Sequence, residues 1–141
     1  TGPTTVSQAR GVPEFTDICF QGGGQGVGIL ASGTVRLHLT GCRVSGWETG
    51  FLAVESAWIN ADTTVFENNE VGMCFDARDT PMVSDDFYVD DVFQNNGTAI
   101  LLKSIPSDTS LKFDGTCFSG NGMDIDNQCG HEMDISQAIF E

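Results

Sequence analysis

The chain has 141 residues, the size of one ordinary domain, with 40% hydrophobic residues to supply a core and 17 glycines that suit tight turns better than long helices. Against 20 Asp and Glu there are 6 Lys and Arg, and the formal net charge of −14 repels phosphate backbones and anionic lipid surfaces, which argues against nucleic acid as a partner. No apolar run approaches the roughly 20 residues that cross a bilayer, so no membrane insertion is expected.

Residues 1–14 read as an N-terminal arm or cap, since Thr1 to Pro13 lacks strong periodicity. No basic segment followed by an apolar one opens the chain, and Thr1-Gly2 is what initiator-methionine cleavage leaves. The expectation is a signal already removed or a chain made without one. From there to residue 127 one phrase recurs: an apolar residue, a polar residue, Gly or Asn, a short link and a brief apolar strand. Its first copy, Phe20-Gln21-Gly22, leads into Ile29-Leu30-Ala31. The link spells a loose Gly-x-Gly-x-x-Ala at Gly26 to Ala31, but no long amphipathic helix follows, so it reads as a glycine-rich turn and not a dinucleotide site.

The second copy is Val44-Ser45-Gly46 with Phe51-Leu52-Ala53, and the third is Phe66-Glu67-Asn68 with Met73-Cys74-Phe75. After it comes an acidic stretch holding Pro81, which reads as a loop bulging from one corner around Asp79 to Asp86. Asp85, Asp86, Asp90 and Asp91 carry the oxygen ligands a Ca²⁺ ion takes, although a solvated loop is the simpler reading. Asp76 and Asp79, beside Arg78, are the first acids to test for catalysis.

The fourth copy, Phe93-Gln94-Asn95, precedes Ile100-Leu101-Leu102, and Asn96-Gly97-Thr98 within it spells a glycosylation acceptor that doubles as a turn. The fifth is Phe118-Ser119-Gly120 with Met123-Asp124-Ile125. Asp124-Ile125-Asp126 starts like a calcium loop, but Cys129 stands where such a loop needs Gly. Residues 128–141 read as a C-terminal cap, with apolar positions 135, 138 and 139 suited to a short helix. Cys117, Cys129 and His131 lack the partners of a zinc site. The five cysteines, odd in number and irregular in spacing, read as small buried apolar residues and not as a disulfide framework. No metal and no cofactor is expected.

The anchors Phe20, Val44, Phe66, Phe93 and Phe118 lie 24, 22, 27 and 25 positions apart, the length of one solenoid turn. Such coils bury their apolar faces only by stacking, which places Phe66, Phe93 and Phe118 in an interior aromatic ladder and Asn68 and Asn95 at left-handed corners. The fold expected is all-β, a right-handed parallel β-helix of about four to five coils. An antiparallel sandwich is the competing fold, but two-residue hairpin signals are scarce, and Asn96-Gly97 lies inside the repeat phrase. The Asn/Gly turn followed by Gly-apolar-x-apolar, from Phe15 to Asn127, resembles the right-handed parallel β-helix repeats of pectate-lyase-like proteins. The resemblance implies the architecture, and a choice among polysaccharide lyases and hydrolases, surface adhesins, and trimeric phage tailspikes and appendages.

Strand alternation decides among these. If the first and third residues of each strand point inward, Leu30, Leu52, Cys74 and Leu101 form an outward apolar row where an enzyme of this architecture displays carboxylates and a base; a one-residue slip would exchange the faces. Such a row implies a partner that covers it. The expectation is a non-catalytic structural or attachment module, a homotrimer in a virion or at an extracellular surface, serving as a capsid decoration or tail appendage. Its partner is a second copy or another structural protein. The alternatives are a carbohydrate-active or carbohydrate-binding β-helix and a cell-surface adhesin.

Overall fold

The computed structural model describes residues 2–7, 13–76, 85–105 and 110–141. Three parallel sheets wind into a β-solenoid of about five turns. The first sheet stacks β1 (Thr4–Ser7), β4 (Val27–Ser32), β7 (Thr49–Val54), β10 (Val71–Asp76), β13 (Thr98–Ser104) and β16 (Met123–Asn127). The second stacks β2 (Glu14–Thr16), β5 (Arg36–Thr40), β8 (Trp58–Asp62), β11 (Asp85–Val89) and β14 (Ser110–Asp114). The third stacks β3 (Cys19–Gln21), β6 (Arg43–Ser45), β9 (Val65–Glu67), β12 (Val92–Gln94), β15 (Cys117–Ser119) and β17 (Ile139–Phe140). Pairing is parallel throughout the described residues, as a solenoid requires and a hairpin sandwich forbids.

The five anchors pair in register down the third sheet, and Phe140 extends their row beneath Phe118. Phe66 and Phe93 stack at 4.8 Å between ring centroids and 7° between planes, and Phe93 and Phe118 at 5.1 Å and 8°. All three rings are fully buried. The ladder expected from the repeat is therefore present.

Left-handed backbone recurs at the two corners that bound the third sheet. Gly46, Asn68, Asn95 and Gly120 take positive φ where the chain leaves the third sheet, so both asparagines stand at the corners their residue type predicts. Asp17, Gly41, Thr63, Asp90 and Gly115 do the same where it enters that sheet. Their spacing repeats that of the anchors, so each anchor carries a fixed corner three residues before it.

The C-terminal segment corrects the expectation of a helical cap. There is no helix among the described residues, and Met133 to Phe140 instead traces part of a further coil. Asp134 bridges to Lys112 and its Oδ1 accepts from the Ser136 N–H at 3.0 Å, forming a turn; Ile139 N–H then donates to the Thr116 carbonyl at 2.8 Å. A helix of two turns is marginal in water, whereas the open edge of β15 offers backbone partners and Phe118 a ring to stack on. At the other end, Thr4–Ser7 lies along β4 as strand β1.

Candidate functional site

The first sheet presents its outer face through strands whose burial alternates as Val27 to Ser32 and Thr49 to Val54 illustrate. Ile29, Ala31, Phe51, Ala53, Met73, Phe75, Ile100 and Leu102 join the core, while Leu30, Leu52 and Leu101 stay outside it and half-buried. The register is Thr5, Leu30, Leu52, Cys74, Leu101, Asp126, one residue from each successive strand. Four apolar residues in adjacent strands span about 15 Å at the usual strand spacing. They end in a hydroxyl at one edge and a carboxylate at the other.

Cys74, small between two leucines, is only 4% exposed, and burial pushes its thiol pKa up, with Lys103 pulling the other way. Lys103 reaches this neighbourhood because a bulge places it as an extra residue between the partners of Phe75 and Asp76. A parallel outer row runs Val27, Thr49, Val71, Thr98, Met123, so apolar and threonine side chains border the leucines.

Charged chemistry is sparse on this face. Asp76 is half-buried at its margin, while Arg78 and Asp79 lie outside the described residues. No group of three or more His, Cys, Asp or Glu among the described residues could hold a metal ion. The acids considered for Ca²⁺ do not present one surface, since Asp90 is exposed and Asp91 is fully buried. Asp124 and Asp126 instead accept from Asn121 Nδ2 and Gln128 Nε2, both at 3.1 Å. His131 and Cys129 line a surface hollow of about 360 Å³ with Ile105, Gly130 and Glu132, and Cys117 is not part of it. Gly26 to Ala31 is a turn running into β4, and Asn96 of the glycosylation triplet is 3% exposed.

Two interior polar rows escape a reading that follows apolar residues alone. Three residues after the last four anchors, Trp47 Nε1 and the Nδ2 atoms of Asn69, Asn96 and Asn121 donate to the carbonyls of Phe20, Val44, Phe66 and Phe93, at 2.9–3.1 Å. Each asparagine Oδ1 accepts the N–H of its counterpart one coil earlier. Two residues before the anchors run Cys42, Thr64, Asp91 and Thr116, again joined coil to coil by N–H donation to the next side chain. The second asparagine in Asn68-Asn69 and Asn95-Asn96 was the signal available in the sequence. On the outside of the third sheet, Glu67 pairs with Arg43 and accepts from Gln94 Nε2 at 2.6 Å. The Gln94 amide, ahead of Arg43, holds its carboxyl below the usual range against the opposing effect of burial.

The arrangement is an apolar row framed by short polar groups. Compared with protein-family models, curated proteins and solved structures, the chain matches none.

Proposed function

We propose that this chain is a non-catalytic structural or attachment module whose first sheet packs against two further copies of itself in a homotrimer. One observation carries the reading: Leu30, Leu52 and Leu101 stand in register with the buried Cys74 on an outer face, the leucines half-buried and outside the core. A monomer in water gains nothing from repeating leucine at an outward position, whereas symmetric packing removes three such strips from solvent together. The setting proposed, a capsid decoration or tail appendage of a virion, rests on the resemblance to trimeric β-helix appendages.

Fully burying an exposed leucine contributes about 1.5–3 kcal/mol, and these are already half-covered, so each adds toward the lower end. Nine leucines at a threefold axis still compete with an association cost of about 4–15 kcal/mol. Repulsion between chains of charge −14 opposes assembly, so added salt strengthens it by screening.

Light scattering of the native chain at micromolar concentration is expected to give three times the mass of the chain, rising in stability with salt. Leu52→Asp puts a carboxylate at mid-strip, where burial is expensive, and is expected to yield a monomer that keeps its β-sheet circular dichroism. A monomeric native chain, or a trimer indifferent to Leu52→Asp, overturns the proposal.

A further inference from the structure

The row two residues before the anchors has a rule that one member breaks. Cys42, Thr64 and Thr116 each accept or donate along the row and also give their own hydrogen to a backbone carbonyl. Cys42 Sγ donates to Phe15, Thr64 Oγ1 to Asp62 and Thr116 Oγ1 to Tyr88, the last at 2.7 Å. Asp91 holds the same place in its coil and is fully buried. Its Oδ1 accepts the Thr64 N–H at 2.8 Å, and its Oδ2, shut off from solvent, has no partner. An ionised carboxylate is acceptor-only, so it cannot make the donation its row-mates make; a carboxylic acid can. By register the Ala61 carbonyl stands to Asp91 as the Phe15 and Tyr88 carbonyls stand to Cys42 and Thr116.

We infer that Asp91 is held as the neutral acid inside the folded solenoid, and that its ionisation at rising pH is a switch that loosens the corner between the second and third sheets. The charged neighbours that act on it among the described residues, Asp62 and Asp90, push the same way. Asp62 on the coil before and Asp90 beside it are both acidic, and Asp114, whose carbonyl accepts the Asp90 N–H, is the counterpart on the coil after. The row itself supplies the neutral Thr64 and Thr116 on either side. Burial first, then the two neighbouring carboxylates, push the Asp91 pKa from 3.8 up to about 8, with the Thr64 N–H opposing.

The direction of the effect follows from linkage. A carboxyl whose folded pKa lies above its unfolded one stabilises the fold fully below about pH 4, and that stabilisation drains away as pH rises, until it is gone above about pH 8. The unfolding constant is expected to rise by about three to four decades across this window from Asp91 alone.

The test compares urea unfolding of the native chain and Asp91→Asn from pH 4 to 9. The amide reproduces the neutral acid in shape and can accept from Thr64 and donate as the acid does. It should match the native chain near pH 4, exceed its stability at pH 8, and retain only the shallow slope of the surface acids. A second measurement does not depend on unfolding: infrared difference spectra near neutral pH should show a protonated-carboxyl C=O stretch in the folded native chain that Asp91→Asn lacks. Equal pH slopes in the two proteins, or no such band, overturn the inference.

Discussion

Phe93→Ala is expected to lower stability by about 3–5 kcal/mol, the range for emptying a buried aromatic site. Phe93 is the middle ring of a stack, with Phe66 at 4.8 Å on one side and Phe118 at 5.1 Å on the other, and it is fully buried. Those neighbours hang from strands fixed by backbone pairing on both sides, so the cavity cannot collapse and the loss falls in the upper part of the range. For a domain with typical stability of about 5–15 kcal/mol this removes a large share, and in a solenoid it falls on a nearest-neighbour interface that couples the two halves. Phe140→Ala is the control, because that ring stacks on Phe118 at the open end and is 45% exposed. Urea midpoints for both variants give the comparison; a Phe93→Ala loss no larger than that of Phe140→Ala would mean that the stack does not bind the coils together.

The stack was legible because its chemistry is carried by residue type at a spacing that any reader can align. Phe66, Phe93 and Phe118 recur with a polar residue and Asn or Gly behind them, and only parallel stacking lets all copies use the same environment. The outward row followed from strand periodicity, which assigns faces once one residue is placed. What the sequence could not disclose depends on contacts between coils. Asp91 sits in an acidic run and reads as a solvated loop residue until alignment by the anchors sets it beside Cys42, Thr64 and Thr116. Positions 135, 138 and 139 fit a helical face as well as they fit a strand edge, and the pairing of Ile139 and Phe140 along β15 decides between them.

Asn96→Ala is expected to cost about 2–4 kcal/mol, approaching the deletion of a ring, although it removes only a small polar side chain. The Asn96 Oδ1 accepts from both N–H and Nδ2 of Asn69, each at 3.1 Å, while its Nδ2 donates to the Phe66 carbonyl and to Asn121 Oδ1, each at 3.0 Å. Alanine fills none of these roles, and Asn69, at 3% exposure, has no water in reach to replace them. A buried group left without its partner costs about 1–3 kcal/mol: the Asn69 N–H loses its acceptor outright, while Asn69 Nδ2, which keeps the Val44 carbonyl, and the Phe66 carbonyl each lose one bond. Asn95→Gly isolates the contribution of the turn. Asn95 is exposed with φ of 56°, a conformation that glycine adopts without strain, so that variant should change stability by only a few tenths of a kcal/mol. Asn121→Ala, at a half-buried position nearer the end, is expected to fall between the two. If adjacent asparagines contributed only as turn formers, Asn96→Ala and Asn95→Gly would shift the urea midpoint alike; the interior amide row requires them to differ by more than about 1 kcal/mol, in the order Asn96, Asn121, Asn95.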